Sequence, residues 1–246
     1  MSGQNGTAAG SGAGSMAARE NAAIDRTLAY TPWVRIAGAQ HREIALTFDD
    51  GPGPYTPQVL SMLERHHVPA TFFEVGVLER YFSASTAAIV ADGDAIGDHT
   101  DLHKPMSRLS PAGQRAQLLE QASAVERHGA RFPRLFRPPF GMWDSATLAL
   151  LRRYRMLMVL WTVDTNDYRR PGVNAIVRAA VAGARPGAII LLHDAGGNRS
   201  ETVAALPRIV AALRRRHYRF VTVPRLLLDN PAPRVQSIAS VIGSGG

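Results

Sequence analysis

Residues 44–52 read Ile44-Ala45-Leu46-Thr47-Phe48-Asp49-Asp50-Gly51-Pro52. The apolar lead has the character of a buried strand, and two adjacent carboxylates close it. A Gly-Pro pair then breaks the chain at once. A strand that ends in paired acids at a forced turn holds charge at the rim of a pocket. The plain alternative is a surface turn with two solvated aspartates. Successive side chains on a regular strand face opposite ways. Both acids therefore reach one pocket only if the backbone leaves strand geometry at Asp49-Asp50. The Gly51-Pro52 turn is the expected device.

Outward from this stretch the chain alternates between strand and helix. Thr56-Pro57 reads as an N-cap followed by a proline in the first helical turn. Val59, Leu60 and Leu63 follow at helical spacing, and the helix ends near His67. Residues 69–75 are β-branched and aromatic and form a second strand. A helix over 83–91 leads to a third strand at 94–98. Ser110-Pro111 repeats the cap-then-proline start for a helix to His128. Residues 135–136 are a very short fourth strand, and Asp144 caps a helix to Arg153. Residues 156–161 are the clearest strand, followed by 162–168 and a helix over 174–182. A buried strand at 188–192, a helix capped by Ser200, a strand at 218–223 and a helical turn at 224–228 complete the pattern. Such alternation, repeated about seven times, argues a mainly parallel sheet with helices outside. An open doubly wound sheet and a closed or partly closed barrel both satisfy it. No Gly-x-Gly-x-x-Gly follows the first strand, which counts against a dinucleotide-binding open sheet.

The 246 residues allow one sizeable domain with tails. Residues 1–22 are rich in Gly, Ser and Ala and read as a flexible tail. Residues 23–41 are a lead-in, with Pro32 and Trp33 packing on the domain at 42–229. Residues 230–246 are rich in Pro, Ser and Gly and read as a frayed tail. The apolar fraction, 46%, is that of an ordinary globular protein, and no apolar run approaches a membrane span. The formal net charge is +8, yet Lys104 is the only lysine. Arg in place of Lys, with abundant Ala and Gly, is read as the imprint of a GC-rich genome. No basic block with interleaved aromatics is present, so nucleic acid is not an expected partner. A polyanion such as a cell-wall polymer stays an open alternative. The absence of cysteine excludes a disulfide framework, a thiolate metal site and a cysteine nucleophile. The N-terminus lacks the pattern of a signal peptide.

The reactive residues fall in one place in this pattern. Asp49 and Asp50 follow the first strand, His99 and His103 the third, and Arg137 the fourth. Asp164 and Asp167 follow the fifth, and His193 and Asp194 the sixth. In parallel α/β folds the carboxyl ends of the strands converge on one face, which carries the active site. Chance would scatter them over both ends. His99 and His103, four apart, suit a divalent metal if an acid from another strand end joins them. Neutral imidazole with carboxylate favours zinc, with cobalt, nickel or manganese as alternatives. Arg137, set between Phe136 and Pro138-Pro139, reads as a half-buried guanidinium that needs a carboxylate partner. The rigid turn after it fixes backbone N–H groups as an oxyanion site requires. His193 is read as paired with Asp167; Asp194 is a second choice, because adjacent strand side chains point apart. His41, His66, His67, His128 and His217 lie away from this rim and read as structural or solvated.

Taken together, five motifs resemble the polysaccharide deacetylase family, carbohydrate esterase family 4, also called the NodB-homology domain. They are Thr47-Phe48-Asp49-Asp50-Gly51-Pro52, His99-Thr100-x-x-His103, Arg137-Pro138-Pro139-Phe140-Gly141, Asp164-x-x-Asp167-Tyr168 and Leu191-Leu192-His193, in this order over residues 42–229. The resemblance implies a distorted (β/α)7 barrel with mainly parallel strands and outer helices. It implies that Asp50, His99 and His103 hold the metal and that Asp49 is the general base, with Arg137 holding it ionised. It implies an oxyanion donor at the backbone N–H near Phe140, His193 as general acid and Asp167 as its orienting partner. Leu191 and Tyr168 would line the pocket for the acetyl methyl; the family usually has Trp at the Tyr168 position. The implied substrate is an acetylated glycan, with N-acetyl groups removed from a peptidoglycan- or chitin-like amino-sugar chain. A monomer in the cell envelope or secreted is expected, although no export segment is visible. The alternatives are an O-acetyl esterase on xylan-type glycan, a small-amide hydrolase, or a non-catalytic glycan-binding relative.

Overall fold

In the computed structural model, which describes residues 8–237, the strand over residues 43–49 organises the sheet. The chain runs α1 (Ala8–Leu28), β1 (Trp33–Val34), β2 (Glu43–Asp49), α2 (Thr56–Arg65), β3 (Thr71–Glu74), α3 (Glu79–Asp92), β4 (Ala95–Asp98) and α4 (Pro111–Glu126). It continues with β5 (Leu135–Phe136), α5 (Ser145–Tyr154), β6 (Leu157–Val159), β7 (Val163–Asp164), α6 (Val173–Gly183), β8 (Ile189–His193), α7 (Ser200–Arg215), β9 (Arg219–Phe220) and α8 (Val223–Asp229). Among the described residues the sheet order is β1-β6-β5-β4-β3-β2-β8-β7, with β9 also beside β2, and all these pairs are parallel. Helical crossovers make parallel pairing the accessible arrangement. The sheet curls into a distorted, incompletely closed barrel with helices around it. Past β1, Ile36 bridges antiparallel to Ala188 and the Arg35 carbonyl accepts the Thr162 hydroxyl at 2.6 Å, which draws the two edges together.

All seven residues of β2 are buried, as a strand covered on both faces must be. Its alternation sorts them. Ile44, Leu46 and Phe48 join Val59, Leu63, Ile190, Leu192, Leu206 and Ile209 in the layer under the outer helices. Ala45 lies in the inner cluster with Phe73, Val159 and Ile189. Thr47 and Asp49 share the Ala45 face by the two-residue period, so the strand delivers Asp49 to the inside of the curl.

Several expectations need correction. The flexible tail expected over 1–22 is helical from Ala8, and no boundary falls at 22/23. Alanine has the best helix propensity, and Ala23 and Ile24 are buried in the inner cluster with Leu226 and Leu227 of α8. Asp25 adds ion pairs to Arg134 and Arg155 at 2.5 and 2.8 Å. The frayed tail expected from residue 230 is anchored as far as 237. Asn230 is buried, its amide donating to Glu43 and its oxygen accepting the His41 N–H; Gln236 accepts the N–H groups of Arg35 and Ile36. Residues 1–7 and 238–246 of those two expectations lie outside the described residues. Ser110 and Asp144 cap α4 and α5 as expected, Asp144 in a reciprocal box with Thr147. Thr56 and Ser200 do not cap: each is already the first helical residue. Asn198 accepts from the Ser200 N–H in its place.

If α1 is part of the core, Ile24→Ala will destabilise the protein by about 2–5 kcal/mol. Exposed Arg19→Ala should stay within about 0.5 kcal/mol of wild type. Urea unfolding reads both, and an unchanged midpoint for Ile24→Ala would exclude α1 from the folded unit.

Candidate active site

Strand register brings the strand ends into contact. Asp49 on β2 is level with His193 on β8, Asp98 on β4 with Phe136 on β5, and Asp164 on β7 with Leu191 on β8. The backbone then leaves strand geometry at Asp50, whose φ is +73°. This left-handed residue turns its carboxylate into the pocket that Asp49 already faces, and aspartate tolerates the conformation better than most residues. The loop after β4 does the same for the imidazoles. Thr100 and His103 both have positive φ, 68° and 52°. The four-residue spacing is thus realised on a loop and not on a helix.

The His99 Nδ1 donates to the Arg137 carbonyl at 2.7 Å, which leaves Nε2 facing the pocket. That Nε2 lies 3.6 Å from Asp50 Oδ1, and the His103 Nε2 lies 3.1 Å from the same oxygen. Ligand atoms of Asp50, His99 and His103 all fall within 4.8 Å of one another, the one such cluster among the described residues. Burial pushes His99 down to about 4, against the opposing charge of Asp49, so it is neutral. Burial would raise Asp50, but the His103 bond and the charges of His193, His99 and His103 hold it well below the usual carboxylate range. Two imidazoles and a carboxylate, with no thiolate, fit a divalent zinc-like ion.

Asp49 is held from behind. The fully buried Arg137 donates from Nη1 to Asp49 Oδ1 at 2.6 Å and to the Thr47 hydroxyl at 2.8 Å. Its Nε and Nη2 reach the carbonyls of Val159 and Leu160, and its guanidinium lies 4.1 Å over the Phe73 ring. A guanidinium is tolerated at this depth because its donors are engaged and its charge is paired. Across the pocket, His193 Nδ1 donates to Asp167 Oδ1 at 2.7 Å. The other Asp167 oxygen accepts the His193 N–H at 2.8 Å and the Thr202 hydroxyl at 2.7 Å. Burial opposes a charge on His193, but the bond and charge of Asp167, helped by Asp50 and Asp49, outweigh it and raise the imidazole to about 9. At neutral pH it is an imidazolium whose Nε2–H is available to the pocket.

Phe140 and Tyr168 stand exposed on opposite sides. Phe140, with φ +59°, sets its ring edge-on to His103 at 4.7 Å; Tyr168 does so to His193 at 5.3 Å. Leu191 is buried and its carbonyl accepts the Thr165 hydroxyl. Asp164 is spent on the turn, accepting the Asn166 N–H. Asp194 points away from His193 and is fully buried beneath Gly51. Burial pushes it up to about 7 against its bond from Thr56. Sequence reasoning missed Thr47, Thr56, Thr202 and Arg199. Thr47 was legible, two residues before Asp49 and therefore on its face. Arg199, buried and donating to the carbonyls of Ala195, Gly196 and Tyr168, left no signal in the sequence.

The family model for polysaccharide deacetylase matches residues 37–159. Among curated proteins, the chain is 37% identical to a chitooligosaccharide deacetylase of Bradyrhizobium sp. (strain ANU 289), over 75% of this chain and 90% of that protein. It is 40% identical to a peptidoglycan-N-acetylglucosamine deacetylase of Bacillus cereus, over 75% and 87% respectively. Among solved structures, the Bc1960 peptidoglycan N-acetylglucosamine deacetylase superposes with a TM-score of 0.78 at 29% identity, covering 83% of this chain and 95% of that one.

The Asp167–His193 pair makes a direct prediction. His193 in the metal-free protein should hold its proton until the pH approaches 9. Asp167→Asn removes the charge that raises it, so the imidazole should titrate lower, toward about 6.5. An NMR titration of the His193 ring decides this; an unmoved value in Asp167→Asn would contradict the assigned cause.

Proposed function

The chain belongs to the polysaccharide deacetylase family, and we propose that it removes N-acetyl groups from an amino-sugar polymer or oligomer, releasing acetate. Asp50, His99 and His103 would hold a divalent metal, zinc foremost. The observation that carries this reading is the arrangement around that triad: a carboxylate fixed by Arg137 on one side and an imidazolium fixed by Asp167 on the other.

A metal bound there supplies Lewis acidity that polarises the acetyl carbonyl and acidifies water. The remaining work belongs to side chains of this chain. Asp49 accepts a proton from the attacking water as the new C–O bond forms. Arg137 pairs with that carboxylate and aims it, and Thr47 helps to hold the guanidinium in place. The backbone N–H at Phe140, set by the left-handed turn, is the donor to the developing oxyanion, a contribution worth about 3–4 kcal/mol where such donors are removed. An amine is a poor leaving group, so the C–N bond breaks with proton delivery from His193 Nε2. Asp167 and Thr202 keep that ring oriented and charged. Leu191 and Tyr168 shape the space for the acetyl methyl; the Tyr168 hydroxyl engages Arg169 and Asn166. The substrates named for the relatives make chitin-like oligomers and peptidoglycan the glycans to test first. On this reading the protein works outside the membrane, where such polymers lie.

Asp49→Asn should retain the metal and lose about 10²–10⁴-fold in kcat, as removal of a general base does. His99→Ala should lose the metal itself. Elemental analysis beside turnover measurement separates the two. Near-normal turnover in Asp49→Asn would remove it as the base, and metal loss in His193→Ala would make His193 a ligand and not an acid.

A further inference from the structure

We infer that Thr56 and Asp194 form a buried clamp that fixes the turn at residues 49–53 and thereby sets the affinity of the Asp50–His99–His103 triad for its metal. The inference rests on the metal reading of that triad. Its basis is a set of contacts that helix capping and the catalytic steps leave unexplained. Thr56 is fully buried at the first turn of α2, where its hydroxyl faces backward into the preceding loop. The Thr56 Oγ1 accepts the Gly53 N–H at 2.8 Å and donates to Asp194 Oδ2. The Asp194 N–H in turn donates to the Asp49 carbonyl at 3.2 Å. One residue thus grips the turn at both ends, directly at Asp49 and through Thr56 at Gly53.

The space between is filled. A Cβ at Gly51 would lie 2.6 Å from Asp194 Oδ2, and one at Gly53 would lie 2.4 Å from the Ala195 Cβ. A Cβ at Gly196 would lie 2.3 Å from Asp50 Oδ2. The turn that carries Asp50 is therefore seated against the turn that follows His193, with glycine at each close approach. Asp50 must be held in its left-handed conformation, and a side chain in that region is not held by its own preference. Linking a backbone N–H to a carboxylate requires a group that accepts and donates at once. A hydroxyl does this and a methyl does not. Without it the Gly53 N–H and the Asp194 oxygen are both left buried and unmatched.

Zinc affinity of the metal-free full chain, measured by competition with a chromogenic chelator, tests the clamp without reference to turnover. Thr56→Val should bind zinc about 10–100-fold more weakly, the usual effect of losing a residue that orients a ligand. Thr56→Ser keeps the hydroxyl and should stay close to wild type. Thr27→Val removes another buried hydroxyl, one that bonds the Ala23 carbonyl on α1. It should lower the unfolding midpoint and leave zinc affinity unchanged. If Thr56→Val fails to fold, Thr56→Ala removes the same hydroxyl without adding a methyl in its place and reads the same loss. Wild-type affinity in Thr56→Val or Thr56→Ala overturns the clamp, as does an equal loss in Thr27→Val. A wild-type chain that takes up no divalent metal overturns the triad reading, and the clamp with it.

Discussion

Two consecutive residues cannot face one pocket from a regular strand, and the site depends on breaking that rule. The break is Asp50, placed in the left-handed region at a cost of about 1–2 kcal/mol. Extended backbone would send its carboxylate toward the layer that holds Phe48, away from Asp49. Thr100, His103 and Phe140 share the positive φ, so three of the loops that build the site use the same device. Strain of this kind persists only where the surroundings over-determine it. Here the close-packed glycines at 51, 53 and 196 and the bonds through Thr56 and Asp194 provide that constraint.

Once both carboxylates share the pocket, electrostatics divides the labour among like residues. His99 and His193 are both buried histidines, yet burial drives one down to about 4 and Asp167 lifts the other to about 9. On the proposed reading the first donates a lone pair to the metal and the second donates a proton to the leaving amine. Asp49 and Asp50 are told apart by their partners. Asp49 is bound to a guanidinium at 2.6 Å, and Asp50 faces two imidazole nitrogens. Asp49 and His193 thus each have a partner that fixes them and a side turned to the pocket. Such pairs are retained at a desolvation cost, which argues for chemistry more than for stability.

Much of this was legible in the sequence because it follows from period and punctuation. The two-residue alternation of β2 assigns Thr47 and Asp49 to one face. Parallel alternation gathers Asp50, His99, Arg137, Asp167 and His193 at one end of the sheet. Ser110 and Asp144 announced their helices. The failures have physical causes of their own. A Gly/Ser/Ala composition hid α1, because alanine favours helix as well as low complexity, and burial against α8 decides between them. Thr56 and Ser200 look like caps, but tertiary partners claim the one and Asn198 replaces the other. The run 156–168 conceals a passage from β6 to β7, which lie near opposite edges of the strand order and are brought close only by the curl of the sheet. The partners that orient Asp167, Thr202 and His193, come from different strands and helices, and only register brings them together.

On the proposed reading this constellation hydrolyses N-acetyl groups with a metal held by Asp50, His99 and His103. Acetate release from N-acetylglucosamine oligomers tests it most directly, measured on the chelator-stripped protein before and after zinc is returned. The stripped protein should release none, and returned zinc should restore release. Release that persists after stripping, or none from any acetylated glycan after zinc is bound, would contradict it.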